Sequence, residues 1–345
     1  MTVRPTTGRA VPERPALARL VGDPAAFAER SWGRVPLLHT AADGGRVTEG
    51  FTDLFGLDSV DDLVSVRGLR TPFLRLVKDG KTISERSYVG SGGVGAAVPD
   101  QARDDGIHAE VARGATLILQ GLHRTWEPLL GFSQQLAADL GHPVQVNAYI
   151  TPPQSQGFGS HYDVHDVFVL QVEGEKRWNI HAPVFPLPLR TQPGDDAAIT
   201  RAASQEPLLD VVLRPGDCLY LPRGYLHSAT ALGGVSGHLT IGIHPWTRYH
   251  VLERVLEEVR LGLADDESLR ASLPLGVDFA DRPALTEVIA DVRAAVQGAL
   301  GSVDTGRIGA RLVGADAATQ RPAPVRPFAQ LAAARNLTPD TAVVL

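Results

Sequence analysis

Residues 161–178, HYDVHDVFVLQVEGEKRW, decide how the rest of the chain is read. His161 and Asp163 are two positions apart. Alternate residues of a β-strand point to the same face, so one imidazole and one carboxylate would project side by side into whatever that face encloses. A third ligand is found further on. His227 lies near the end of LRPGDCLYLPRGYLHSA, where two strand-like runs, DCLYL and LHSAT, flank a Pro-Arg-Gly turn. Two histidines and one carboxylate, with positions left open on the metal, form the facial triad of non-haem Fe(II) sites. His165 follows His161 by four residues. On a straight strand it would share the face of His161 and Asp163 and compete for the metal. The preferred reading ends the regular run at Asp163 and makes His165-Asp166 a turn.

Composition narrows the classes around this site. The chain has 345 residues, 43% hydrophobic and 21% charged, enough for a substantial core. The net charge of −6 disfavours a protein that coats nucleic acid, so no direct nucleic-acid binding is expected. Cys218 is the one cysteine. A disulfide framework and a multi-thiolate zinc site are thereby excluded, and its apolar run DCLYLP suits a small core residue. No apolar stretch approaches the ~20 residues of a membrane span. The basic N-terminus has no apolar segment after it, unlike a secretory signal. The expectation is a cytoplasmic protein with no membrane partner.

Along the chain, residues 1–22 read as a flexible tail. DPAAFAER reads as a capped helix, GFTDLFGLDSVDDLVSV as two short helical pieces, and TPFLRLVKDGKTI as a hairpin around Asp79-Gly80. GSGGVG at 90–95 formally matches a nucleotide fingerprint, but Pro99 follows where a helix should open, so a loop is expected. GATLILQG suggests a buried strand and WEPLLGFSQQLAADLG an amphipathic helix stopped by Gly141. Then come seven short β-runs: VQVNAYITPP, HDVFVLQVEG, EKRWNIHAP, PLLDVVLRPG, DCLYLP, LHSATAL and SGHLTIGIHP. Such strands punctuated by Pro and Gly argue for a double-sheet jelly roll or small barrel. After Pro245 the period changes to that of helices, with apolar stripes through 251, 255 and 259 and through 285, 288, 292, 296 and 299. A Gly/Ala/Pro-rich linker is expected at 301–324, then a helix and a final β-like run.

A bidentate 2-oxo acid and O₂ could fill the three positions a facial triad leaves. The acid's distal carboxylate then needs a fixed cation, and Lys176 in the next strand is the best candidate, against the reading of a solvated lysine in EKRW.

The blocks GSHYDVHDVFVLQVEGEKRW, VNAYITPPQSQGF, LRPGDCLYLPRGYLHSA and SGHLTIGIHPW together resemble the JmjC-type ribosomal oxygenases of the cupin-like superfamily. The resemblance runs through residues 25–248. It implies a mainly β chain with helical additions. A double-stranded β-helix (jelly-roll, cupin/JmjC) core at 23–248 would precede a helical dimerisation region at 249–300. Residues 301–345 would be a linker and a partial or truncated winged-helix-like segment. It also implies a 2-oxoglutarate- and Fe(II)-dependent hydroxylase that uses O₂, acts on His or Arg of a ribosomal protein, releases succinate and CO₂, and forms a homodimer. Carried over by position, His161, Asp163 and His227 match the iron ligands and Lys176 the residue that binds the distal carboxylate. Asn147 and Thr240 match co-substrate positions, and Tyr149 matches a substrate-side residue. Two other readings stay open: the same chemistry on a small molecule or modified peptide, and a non-enzymatic metal-binding cupin module.

Overall fold

The computed structural model describes residues 13–43, 50–95, 97–192, 194–320, 324 and 326–338. The chain divides at Thr247/Arg248 into two compact units. In the first, the strands are β1 (Leu37–His39), β2 (Leu74–Lys78), β3 (Lys81–Thr82), β4 (Val89–Gly90), β5 (Gln101–Ala102), β6 (Thr116–Leu119), β7 (Val144–Thr151), β8 (Asp166–His181), β9 (Leu209–Leu213), β10 (Cys218–Leu221) and β11 (Leu226–Ile243). The main sheet runs β1-β10-β8-β11-β7-β6-β2-β3, with β9 also on β8, and every pairing in it is antiparallel. Its helices are α1 (Pro15–Val21), α2 (Pro24–Arg30), α3 (Leu57–Asp61), α4 (Asp104–Ala112), α5 (Leu122–Thr125), α6 (Glu127–Leu140) and α7 (Asp196–Ala203).

Two strands carry the architecture. The sequence divides HDVFVLQVEG from EKRWNIHAP and LHSATAL from SGHLTIGIHP, yet β8 and β11 each run through. Gly174 makes this possible. It takes φ +57°, and a Cβ there would stand 2.2 Å from the Val235 carbonyl oxygen, closer than any side chain tolerates. The register of β11 on β8 shifts between Leu232 and Gly237, across from that glycine. Each long strand therefore serves two sectors of the sheet, and both sectors face the cavity described below.

A second expectation fails at the N-terminus. Residues 15–21 are helix α1 rather than part of a flexible tail. Ala16, Leu17, Leu20 and Val21 are buried, and the Leu17 N–H donates to Asp139 at 2.9 Å. The Pro and Arg content that suggested a tail hides an apolar stripe with helical spacing. Helix α3 after Gly56 continues into a π-helical turn at Asp62–Val66. Residues 90–95 hold no helix N-terminus, in keeping with a loop.

The second unit contains α8 (Arg248–Gly262), α9 (Glu267–Arg270), α10 (Arg282–Gly301), α11 (Thr305–Thr319) and α12 (Pro327–Ala333). Helix α11 occupies the stretch expected as a linker. Asp304 caps it by accepting from the Gly306 N–H, and Ile308 is buried. Its alanines and glycines lower the apolar contrast that a sequence scan depends on. Glu258 on α8 receives Arg311 at 2.8 Å and Arg307 at 3.2 Å from α11. The β-like run expected at the C-terminus lies outside the described residues.

Candidate active site

His161 and His227 form an isolated bridge in which each backbone N–H donates to the other's carbonyl, at 3.1 and 2.8 Å. The pairing sets both imidazoles side by side, ring centroids 4.4 Å apart. Asp163 lies outside any regular strand, shortly before β8, and its carbonyl is held by the Gly224 N–H at 2.9 Å. One ligand atom from each of His161, Asp163 and His227 lies within 4.8 Å of the others. The two histidines are oriented alike. Nδ1 of His161 lies 2.9 Å from the Gly159 carbonyl and Nδ1 of His227 lies 3.0 Å from that of Tyr225. Donation from Nδ1 leaves Nε2 as the free lone pair on each ring, which is how metal-binding histidines are commonly fixed. Burial, followed by the neighbouring His161, pushes the His227 imidazole down to about 4, so it stays neutral and able to ligate at pH 7. Two imidazole nitrogens and a carboxylate, all converging, fit an Fe(II) facial triad.

A buried anchor ties the two ligand segments together. Asp166, wholly buried, accepts the Tyr220 hydroxyl at 2.7 Å and the Arg223 N–H at 3.0 Å, with the Arg223 guanidinium 3.5 Å away. It stands three residues after Asp163, and Arg223 four before His227. Desolvation, reinforced by Asp166, raises the Tyr220 hydroxyl well above its ordinary value, which keeps it a donor.

The triad opens on a cavity of about 390 Å³, and all seven residues singled out in the sequence line it. Lys176 is 4% exposed and donates to Thr151 Oγ1 at 3.0 Å; Thr151 in turn meets Thr116 at 3.2 Å. Among the described residues no carboxylate pairs with it. Burial alone pushes its ammonium down to about 7. Asn147 faces Thr240 across β7 and β11, and its Oδ1 accepts the Gly121 N–H at 3.1 Å. Tyr149 stacks on His238 at 5.0 Å and 5°. Desolvation, then the Asp163 charge, raises its hydroxyl to about 12.

His165 stands aside from the triad. Its ring stacks on His244 at 5.2 Å and its Nδ1 is 3.9 Å from Asp163. Gly242 provides its room, since a Cβ there would lie 2.5 Å from the His165 ring. Sequence reading passed over Arg75, Trp178 and His238, which also line the cavity. His238 was within reach, because it shares strand parity with Thr240; Arg75 was not, because FLRLVK says nothing about which sheet face is enclosed.

Residues 130–251 match the JmjC domain family. Over 137 residues the chain is 41% identical to the bifunctional lysine-specific demethylase and histidyl-hydroxylase NO66 of Drosophila persimilis, covering 39% of this chain and 19% of that protein. Over 255 residues it is 31% identical to ribosomal oxygenase 1 of Gallus gallus, covering 73% of this chain and 40% of that one. The chain therefore contains a JmjC domain and is similar to ribosomal oxygenases beyond it. It spans well under half the length of these relatives. A solved structure of the Escherichia coli ribosomal oxygenase YcfD in complex with cobalt and 2-oxoglutarate is 18% identical, with a TM-score of 0.46 over 79% of this chain and 67% of that one, too slight a likeness to bear on the site. No described helix is long and apolar enough to cross a membrane.

Proposed function

We propose that this chain is a 2-oxoglutarate- and Fe(II)-dependent oxygenase that hydroxylates a side chain of a protein, His or Arg of a ribosomal protein, in the cytoplasm. The overall change is balanced: 2-oxoglutarate, O₂ and a C–H bond become succinate, CO₂ and C–OH. One observation carries the reading. A triad of two histidines and one carboxylate shares a cavity with a buried lysine that has no acidic partner among the described residues. A lysine desolvated to this degree is costly unless an anion joins it. The names of the relatives, an oxygenase and a histidyl-hydroxylase, point the same way.

In this reading His161, Asp163 and His227 hold the iron on one face and leave the other open to 2-oxo acid and O₂. The iron, once bound, supplies the activation of O₂. Lys176 and Thr151 hold the distal carboxylate, while Asn147 and Thr240 line the path between that end and the metal. Tyr149 walls the substrate side. No side chain has to act as a general base. A purely structural metal site would not need Lys176, which disfavours the non-enzymatic module.

Assembly belongs to the same proposal. In the second unit Val251, Leu252, Leu256, Ile289, Val292 and Leu300 are each more than 40% exposed. We infer that these stripes meet their own copies in a homodimer.

The test is a turnover assay with ribosomal proteins as substrate. Succinate release should need both Fe(II) and 2-oxoglutarate, accompany a mass gain of one oxygen, and fall by ~10³ or more in Asp163→Ala. Release that is independent of metal would overturn the reading.

A further inference from the structure

The cavity holds a second cation that the reading above leaves unused. Arg75 sits on β2. Strand register places it in one row with Ile118 on β6, Tyr149 on β7 and His238 on β11. Directly paired residues of antiparallel strands face the same side, so the row runs along the inner surface, and Arg75, Tyr149 and His238 all line the cavity. The guanidinium lies 5.6 Å from the centre of the Phe158 ring. Phe158 packs on the ligand histidine His161 at 5.7 Å. Arg75 also hydrogen-bonds the Tyr149 hydroxyl, and its charge and that bond oppose the rise in the hydroxyl's pKa.

What Arg75 lacks is an anion. No acidic side chain pairs with it among the described residues, and its Nε is buried with no acceptor. Among the described residues the only carboxylate in the cavity wall is Asp163, which the metal would claim. Lys176 donates to Thr151, whereas His238 is common ground, near Lys176 and stacked on Tyr149. Arg75 stands against Phe158, which in turn packs on the ligand histidine His161. A half-buried guanidinium with an unpaired buried N–H is a strong and geometrically selective donor to a carboxylate.

We propose that Arg75, together with the Tyr149 hydroxyl, forms a second carboxylate-binding point in the cavity, filled by the substrate and not by the 2-oxo acid. The substrate then carries an acidic group close to the carbon that reacts. A cationic target side chain, arginine or lysine, is opposed by the same charge. The inference rests on the co-substrate reading, which assigns Lys176 to the 2-oxo acid, and it makes Arg75 a specificity-determining residue.

Calorimetry on the full chain loaded with Mn(II) and N-oxalylglycine, an unreactive 2-oxoglutarate analogue, tests it. The probes are two blocked tripeptides, glycine-aspartate-glycine and glycine-asparagine-glycine. The wild type should bind the aspartate peptide about tenfold or more tightly than the asparagine peptide. Arg75→Gln should abolish the preference while leaving the affinity for N-oxalylglycine unchanged, and Arg75→Lys should retain part of it. Equal binding of the two peptides by the wild type, or a preference that survives Arg75→Gln, would overturn the proposal. So would a loss of N-oxalylglycine affinity in Arg75→Gln, since the carboxylate held there would then be the co-substrate's. If N-oxalylglycine fails to bind the wild type at all, the co-substrate reading fails, and the peptide comparison on the protein alone still decides Arg75. Should Arg75→Gln not fold, the wild-type preference and its reduction in Arg75→Lys decide.

Discussion

The two units leave opposite things unsatisfied. The first buries a large apolar core, with Phe51, Phe55, Phe168 and Tyr220 in it, and leaves polar atoms around its cavity without partners, including Arg75 Nε, Trp178 Nε1 and His238 Nδ1. The second ties its helices with ion pairs from Arg307 and Arg311 to Glu257 and Glu258. Yet it buries only Val259 and Ile308 among its described large apolar residues. Polar groups without partners in a cavity call for a small charged ligand. Apolar stripes without cover call for another protein surface. The difference matches the proposed division between a catalytic unit and an assembly unit.

The sharpest way to break this contrast is at the charged end of the cavity. Lys176→Ala leaves a bound carboxylate desolvated and unpaired, at a cost of about 3–5 kcal/mol. The KM for 2-oxoglutarate should rise by roughly 10² to 10³ or more, with metal affinity unchanged. An unaltered KM would mean that Lys176 faces no co-substrate.

The helical unit is tested next. Light scattering at micromolar concentration should give twice the 36.8 kDa chain mass. Changing Val255, half-buried, and Val292, 43% exposed, to Glu should weaken association at least ~10²-fold with helix content retained. A wild type that runs as a monomer refutes the homodimer. Loss of helicity in the variant would show that the stripes pack within one chain.

A smaller effect depends on pH. Burial pushes Lys176 down to about 7 in the cavity as it stands, and a carboxylate beside it pulls it back up. Binding of 2-oxoglutarate therefore takes up a proton above pH 7. Affinity should be flat below that point and fall by up to about tenfold per pH unit above it. Stability of the ligand-free protein moves the other way. The usual value of 10.5 applies to the unfolded chain, which holds the proton that the folded chain has given up. Between pH 7 and 10.5 the unfolded state thus binds more protons, and stability rises with pH. Lys176→Met should flatten both profiles, by calorimetry and by denaturant titration; slopes that persist in it would assign the proton to another group.

The grouping of the site's core was legible in part. His161, Asp163 and His227 could be joined from spacing and turn chemistry, but the strand alternation expected to align His161 with Asp163 is absent: a single bridge holds His161, and Asp163 lies outside any strand. The resemblance then supplied Asn147, Thr240 and Tyr149, which register confirms only as neighbours in one cavity wall. What stayed hidden depends on distant chain. The continuity of β8 through Gly174 depends on the close approach of Val235, sixty residues on. The burial of α1 depends on Asp139 of α6. Arg75 reads as an ordinary surface cation until β6 and β7 place it beside Tyr149. Helix α11 was lost for another reason, since its small residues give little apolar contrast.

The most direct test of the central claim is a crystal structure of the full chain grown without oxygen in the presence of Mn(II) and 2-oxoglutarate. The account predicts one metal ion held by Nε2 of His161, Nε2 of His227 and the Asp163 carboxylate, with the distal carboxylate of 2-oxoglutarate on Lys176 and Thr151. A metal bound through other residues, or a 2-oxoglutarate whose distal carboxylate lies away from Lys176, would contradict it.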